Sequence, residues 1–279
     1  MIDLLRRTKR TLHWGILRAR HAVERRVAGT RPPPPITARA CHVIDQATRL
    51  PIFSKNATVR LAPASLTKLA TCILLARASR ERWDERVEVQ PADLAGGSTM
   101  GLIAGESVSR RDILLGMLLP SGNDAAQLAA RLVGPDWLEQ MNGLCAELGM
   151  RRTRFRNPHG QDQRGQKSCA RDLSLLAAAA FADPVIAAAA GLRRHLVNGR
   201  ELLSTVEMLG EGGVRCGKTG SSLAAGACLA IQYRSSFICL LGSQVAFDHG
   251  YVVARTDRRY DDARRIMRAL DALDAGNRS

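Results

Sequence analysis

The apolar residues of this chain follow two different periods along the sequence. Short alternating or continuously apolar runs, typical of β-strands, occur near both ends of the chain, at residues 38–45, 51–55, 214–219, 225–233 and 236–245. Between about residues 109 and 192 the apolar positions recur at helical spacing, in segments 112–119, 124–133, 136–148, 170–181 and 184–192. The pattern predicts an α/β (α+β) protein with a sheet from both chain ends and a helical insertion between them.

Two further helices are predicted outside that insertion. The first opens at Pro63 and continues through Ala78 with apolar residues on almost every side, which is typical of a helix buried inside a domain. The second covers residues 259–273 and carries its apolar residues on one face only. The sequence therefore predicts one central helix and one closing amphipathic helix around the sheet.

Basic residues are concentrated at the N-terminal end. The formal net charge is +15, and residues 1–31 contribute nine basic and two acidic side chains to it. Their apolar positions fall on one helical stripe, so this arm could lie on an anionic membrane surface or remain a solvated arm. Pro32 to Pro35 form a stiff linker. We expect residues 1–35 to be arm and linker, and residues 36–279 to be a single domain with a helical subdomain at about 80–195.

Several classes of protein and site are disfavoured by composition. The longest apolar stretches are about half the 20 residues that a membrane-spanning helix needs, and no signal-peptide core is readable at the N-terminus. Seven cysteines lack CxxC or zinc-ligand spacing, so we expect buried free thiols and no metal or other cofactor. Few aromatic residues accompany the basic ones, so no nucleic-acid partner is expected.

Three short motifs carry the candidate chemistry. They are Ser65-Leu66-Thr67-Lys68 at the start of the buried helix, Ser121-Gly122-Asn123 between two helices, and Lys218-Thr219-Gly220 on a strand. Each motif alone is weak, because a serine three residues before a lysine arises easily by chance. Together, in these structural contexts, they are the elements of serine acyl transfer in penicillin-recognising enzymes.

The residue types suit that reaction. A serine hydroxyl such as that of Ser65 attacks a carbonyl only with a base beside it. Lys68 lies one helical turn further on, on the same face. Its amine must be neutral to accept a proton, and burial together with the charge of Lys218 would lower its pKa.

The sequence resembles the D-alanyl-D-alanine carboxypeptidases of the low-molecular-mass penicillin-binding proteins from about residue 38 to 272. The resemblance is carried by the three motifs and by their surroundings, at residues 61–68, 119–126, 157–160, 170–173 and 217–220. It implies a penicillin-binding transpeptidase/β-lactamase-like fold with an antiparallel sheet and an all-helical insertion. It also implies a cofactor-free serine carboxypeptidase of the cell envelope or periplasm, acting in cell-wall metabolism and cell shape. The implied partners are peptidoglycan stem peptides ending in D-Ala-D-Ala, and the β-lactams that acylate the same serine.

The resemblance also implies roles for individual residues. Ser121 would relay the proton to the leaving amine, and Asn123 would hold the substrate backbone. The substrate carboxylate and the oxyanion would be bound by the third motif and the residue after it, Lys218, Thr219, Gly220 and Ser221.

Two further residues are matched to the family on weaker grounds. An arginine often precedes the last helix in relatives, and Arg259 is the best match here, with Arg255 and Arg258 as competitors. His159 lies in a loop shared with the family, and either a site role or a loop-bracing role is open.

Two departures and two alternatives accompany this interpretation. Gln161 replaces a leucine common in relatives, and Cys169 replaces a small hydroxyl residue. A class A-like β-lactamase would need a glutamate between the second and third motifs, and Glu139 and Glu147 fall in a regular helix. A catalytically inactive basic binding module on the same fold is the non-enzyme alternative.

Overall fold

The computed structural model describes residues 30–248, 251–253 and 256–276. The predicted basic arm, residues 1–31, lies almost wholly outside this range, and its membrane contact remains a prediction. Arg31 already exchanges backbone hydrogen bonds with residues 52 and 54. Ordered contacts of the domain therefore begin before the predicted boundary at residue 36.

Five antiparallel strands form the central sheet. They come from both ends of the chain: β1 (Ala40–Asp45), β2 (Pro51–Lys55), β7 (Val214–Ser222), β8 (Gly226–Tyr233) and β9 (Ser236–Ser243). Their order across the sheet is β2-β1-β9-β8-β7, so β1 pairs with β9 and joins the two ends of the chain. Strand β7, which carries the third motif, is one edge of the sheet.

The helices are α1 (Lys68–Ser79), α2 (Arg110–Leu118), α3 (Asn123–Val133), α4 (Trp137–Glu147), α5 (Ala170–Ala180), α6 (Pro184–Ala190) and α7 (Arg259–Gly276). Local sequence explains several of their ends. Ser109 caps α2 by accepting from the Asp112 amide, and Asp183 caps α6, which has proline at its first position. Within the described residues no single helix is long and apolar enough to cross a bilayer; α5 and α6 together, across a 107° bend, meet that requirement.

Both faces of the sheet are buried, because side chains alternate along each strand. On one face Ile44, Ala230 and Cys239 pack against α1 and the rest of the helical region. On the other face, residues such as Val43 and Ile231 pack against the apolar face of α7. The result is a three-layer arrangement of helices, sheet and one helix.

The structure confirms the predicted fold class, the strands and the helices, with ends shifted by a few residues. Three short hairpins were not predicted: β3 with β4 (Arg86–Glu88 and Ser107–Ser109), β5 with β6 (Arg194–Val197 and Arg200–Leu203), and β10 with β11 (Phe247–Asp248 and Tyr251–Val252). Only β3 with β4 lies wholly within the predicted helical subdomain at about 80–195, so that subdomain is not all-helical. These strands have two to four residues, too few for an apolar period to show. All seven cysteines are free and buried, as predicted.

Candidate active site

Ser65 lies in a short 3-10 helix, Ala64–Thr67, that runs directly into α1. Two segments pack against this turn. A Cβ atom on Gly160 would lie 2.0 Å from the Ala64 carbonyl oxygen, and one on Gly220 would lie 2.9 Å from the Ser65 nitrogen. Gly160 also has a φ of +96°, which residues with a side chain rarely adopt. The loop after α4 and strand β7 thus close on the serine backbone.

Lys68 connects the first motif to the second. Its Nζ lies 2.9 Å from Ser65 Oγ, 2.8 Å from Asn123 Oδ1 and 2.8 Å from the His159 carbonyl oxygen. The Asn123 amide orientation is fixed, because its Nδ2 donates to the Gly96 carbonyl at 2.8 Å. Carbonyl and amide oxygens only accept, whereas a hydroxyl can also donate. A neutral Lys68 amine therefore donates to those two oxygens and presents its lone pair to the Ser65 hydroxyl.

The surroundings favour that neutral form. Lys68 is completely buried, and burial lowers the pKa of its amine well below the ordinary value, with the positive charge of Lys218 lowering it further. Desolvation and a like charge both penalise the ammonium ion. The predicted effect of Lys218 on Lys68 thus has a structural basis.

Ser121 and Lys218 form the opposite side of the site. Lys218 Nζ donates to Ser121 Oγ at 2.8 Å and to the Thr219 carbonyl oxygen at 2.9 Å. Burial lowers the pKa of Lys218 to about 7, with Cys72 opposing and Arg259 reinforcing the shift. Ser121 has a φ of +65°, a strained conformation that concentrates at functional sites. The second motif is therefore held in place by the third.

A loop at residues 96–102, which the sequence did not single out, borders the site beside Asn123. The Gly96 carbonyl accepts from the side-chain amide of Asn123, and the backbone amide of Asn123 donates to the Ser98 carbonyl at 2.7 Å. Buried Asp124 anchors the same loop, accepting from the Thr99 hydroxyl and from the amides of residues 100 and 102. The sequence offered one signal for this anchor, the acidic residue Asp124 directly after the second motif.

Arg259 reaches the third motif from the start of α7. Its guanidinium donates to the Gly220 carbonyl at 3.1 Å and to Ser221 Oγ at 2.6 Å, and its Nε pairs with Asp257. Of its two predicted competitors, Arg258 pairs with Asp261 and Arg255 lies outside the described residues. Among described arginines of this segment, Arg259 is the one that contacts Ser221.

Thr219 and His159 complete the predicted set. Thr219 Oγ1 lies 2.5 Å from Thr205 Oγ1, another partner that the sequence did not indicate. His159 contributes its carbonyl to Lys68, while its Nδ1 accepts from the Gln161 amide at 3.3 Å. Burial, followed by the charge of Lys68, lowers the pKa of His159 to about 4, so its ring is neutral at pH 7. These contacts favour the loop-bracing role.

The glutamates that a β-lactamase would need lie away from this cluster. Glu139 is exposed on α4, and Glu147, at the end of the same helix, pairs with Arg77 at the surface. Neither has a described hydrogen bond to the serine or the lysines. The structure therefore offers no support from these residues for the lactamase alternative.

Comparison with known proteins decides the family. A family model described as D-alanyl-D-alanine carboxypeptidase, peptidase family S11, matches residues 27–236, three quarters of the chain. The chain belongs to this family. This confirms the family resemblance that the motifs predicted.

Curated relatives and solved structures agree with that placement. D-alanyl-D-alanine carboxypeptidase DacC of Escherichia coli is 35% identical over 164 residues, which are 54% of this chain and 41% of the relative. DacF of Bacillus subtilis is 32% identical over 147 residues, 50% of this chain and 38% of the relative. The chain thus spans about two fifths of the length of these relatives.

Two solved structures share the fold closely. The D-alanyl-D-alanine carboxypeptidase of Mycobacterium tuberculosis has 28% identity and a TM-score of 0.75, over 88% of this chain and 95% of that one. Penicillin-binding protein D2 of Listeria monocytogenes, in its ampicillin-bound form, has 25% identity and a TM-score of 0.73, over 85% and 98%. The fold of the described residues is therefore that of the penicillin-binding peptidases.

Proposed function

We propose that this protein is a serine D-alanyl-D-alanine carboxypeptidase that cleaves peptidoglycan stem peptides through an acyl-enzyme on Ser65. The observation that carries the proposal is the contact of a wholly buried Lys68 amine with Ser65 Oγ, where its two other neighbours can only accept. Such an amine has no better proton donor nearby than the serine hydroxyl. Family membership supports the substrate class.

In the acylation step, Ser65 Oγ bonds to the carbonyl carbon of the penultimate D-alanine, and its proton passes to Lys68. The backbone amides of Ser65 and Ser221 would stabilise the oxyanion, and one such donor is typically worth about 100- to 1000-fold in rate. The peptide C–N bond then breaks. The proton held by Lys68 passes through Ser121, whose oxygen is held by Lys218, to the leaving amine, so that Lys68 becomes neutral again.

Binding and release use the remaining residues. The terminal carboxylate would lie against Lys218, Thr219, Ser221 and Arg259, with Asn123 on the substrate backbone. Water then attacks the acyl carbon and gives its proton to Lys68. The ester bond breaks as that proton returns to Ser65 Oγ, which frees the shortened peptide and restores Ser65. Penicillins would acylate the same oxygen, because their amide resembles the scissile bond.

The cellular setting follows from the substrate. A peptidoglycan peptidase acts in the cell envelope, the location that the family implies. Contact of residues 1–31 with a membrane surface is a separate prediction, which binding of the full chain to anionic vesicles, with and without that arm, would test.

Labelling with a fluorescent penicillin tests the proposal directly. We expect covalent label on the wild-type protein and none on Ser65→Ala. Ser54→Ala, on distant strand β2, is the matched control and should be labelled like the wild type. Label retained by Ser65→Ala, or absent from the folded wild type, would contradict the proposed nucleophile.

Two assays then define the activity. A pentapeptide ending in D-Ala-D-Ala should release one D-alanine, measured by mass spectrometry. Nitrocefin should be consumed slowly, with persistent label on the protein. Rapid nitrocefin turnover without release of D-alanine would favour the lactamase alternative, and no reaction in either assay would favour the inactive binding module.

A further inference from the structure

Residues 151–171, here called the basic hairpin, follow α4 and carry an unusual density of positive charge. The segment holds seven basic residues and one acidic residue, Asp162. Its two arms pair through Arg154 and Lys167, whose backbones exchange hydrogen bonds of 2.8 and 3.1 Å. Six arginines on it are exposed: Arg171, which pairs with Asp172, and five others, Arg151, Arg152, Arg154, Arg156 and Arg164.

Asp162 within the basic hairpin and Asp172 just after it are both engaged, and of the exposed arginines they neutralise only Arg171. Asp172, just past its end, is completely buried and accepts from the Arg152 amide and the Thr153 hydroxyl. Asp162 accepts from Ser222 Oγ and the amide of residue 224. Within the part of the chain that the structure describes, the other five exposed arginines have no carboxylate within salt-bridge distance.

These arginines border grooves rather than a flat surface. A groove of about 420 Å³ is lined by Arg151, Arg152 and Arg171, together with Asp172, the ion-pair partner of Arg171. A second, of about 480 Å³, shares Arg151 and continues to Arg154. Two adjoining concave spaces with guanidinium groups along them suit a chain that presents anionic groups at intervals.

The basic hairpin also forms part of the active site. Its inner residues include His159, whose carbonyl contacts Lys68, and Gly160, which packs on the serine turn. Its outer residues carry the arginines. One segment therefore joins the catalytic lysine to the cationic grooves.

We propose that the basic hairpin is a second binding surface, which holds carboxylate groups of the peptidoglycan polymer whose stem peptide occupies the active site. This proposal rests on the proposed function. The substrate polymer has the required chemistry, because every uncleaved stem peptide ends in a carboxylate and the chain repeats them. Guanidinium groups bind carboxylates in a planar, bidentate geometry.

Holding neighbouring peptides would raise their effective concentration at Ser65 without changing the chemistry there. The surface would thus favour cleavage of stem peptides in the polymer and would not affect cleavage of a short free peptide. Exposed ion pairs are weak singly and are screened by salt, so this binding should depend on several arginines together and on ionic strength.

The test compares two charge-matched variants of the full chain. Arg151→Gln/Arg152→Gln/Arg154→Gln removes three charges from the basic hairpin. Arg80→Gln/Arg215→Gln/Arg268→Gln removes three from exposed arginines elsewhere, which likewise lack a described ion pair. Co-sedimentation with purified peptidoglycan sacculi measures affinity at low and moderate salt, and vesicles of anionic phospholipid serve as the competing surface.

We expect the hairpin variant to bind sacculi about tenfold more weakly at low salt, with a smaller difference at moderate salt, and the control variant to stay within about twofold of wild type. Equal losses in the two variants, or a loss confined to vesicles, would overturn the proposal. Penicillin labelling of each variant reports the reactivity of Ser65 separately. A wild-type protein that is not labelled would refute the proposed function. Labelled variants that bind sacculi equally well would refute the second surface.

Discussion

The two faces of the central sheet bury different kinds of side chain. The face under α7 is an apolar core, with residues such as Ile231, Leu240 and Ile266 buried. The opposite face carries an apolar core too, but near β7 it also buries two lysines that have no accessible surface. An apolar face stabilises the fold through burial alone, whereas buried amines oppose folding unless they lose their charge.

This difference separates stability from activity within one molecule. Variants on the α7 face should change the free energy of unfolding and leave the serine site competent. Variants of the lysine cluster should do the reverse. The predictions below test that separation in decreasing order of expected effect.

Lys68→Met should reduce the rate of acylation by fluorescent penicillin roughly 1000-fold, because a general base contributes about 100- to 10,000-fold. Its effect on the free energy of unfolding should be small. The gain from removing a desolvated amine offsets the cost of leaving two carbonyl oxygens without its hydrogen bonds. Lys167→Met, on the half-buried rim of the basic hairpin, is the control and should label normally. Acylation of Lys68→Met at more than a tenth of the wild-type rate would exclude this lysine as the base.

Ile266→Ala should lower the free energy of unfolding by about 2–5 kcal/mol, because it leaves a cavity beneath α7. Denaturant unfolding measures this loss, with Arg268→Ala on the exposed side of the same helix as the control. Below its melting temperature, Ile266→Ala should be labelled at the wild-type rate. A large loss of labelling by folded protein would show that the two faces are coupled.

Acid should destabilise the protein partly through His42, which is buried against Ser174 Oγ at 2.8 Å. Burial lowers the pKa of His42 from 6.5 to about 4, and Arg171 adds to the shift. Between these pH values the unfolded chain binds more protons, so this contribution is fully present above pH 6.5 and is lost as the pH falls to about 4. It amounts to about 3 kcal/mol at most.

The corresponding measurement is the free energy of unfolding against pH for wild type and His42→Asn, whose amide can retain the bond to Ser174 without titrating. The variant should lose less stability between pH 6.5 and 4. Identical slopes for the two proteins would show that other groups, such as His159, account for the acid sensitivity.

Gln161→Leu should have the smallest effect. Gln161 donates to the Gly96 carbonyl at 2.7 Å, the same oxygen that accepts from Asn123. One exposed hydrogen bond is worth about 1 kcal/mol, so peptide cleavage should change by roughly two- to tenfold, mainly in KM. Gln140→Leu on α4 is the control. A change beyond 100-fold would mean that this bridge shapes the catalytic residues themselves.

Sequence alone predicted most of the fold because the long elements have clear periods. The α1 segment is apolar on nearly every side and is buried, and the closing helix shows one apolar face that packs on the sheet. The β3–β4 hairpin escaped prediction because strands of three residues, mainly polar, leave no period to detect.

The candidate site divides in a similar way. Ser65 and Lys68 could be paired from their spacing, because one helical turn fixes their proximity. The bonds from Lys68 to residues 123 and 159 span 55 and 91 residues, so only the fold reveals them. The Gly96 loop and Thr205 were missed because glycine and threonine in polar loops carry no chemical signature of their own.

The seven buried cysteines give the protein a property that its catalytic residues do not. Burial raises the pKa of Cys72 and of Cys216 to about 12, and the thiolate is the form that reacts. Thiol reagents and oxidants should therefore react very slowly with these cysteines while the protein is folded. The rate at which a maleimide modifies each cysteine of the native chain then measures how often the strand or helix that carries this cysteine opens.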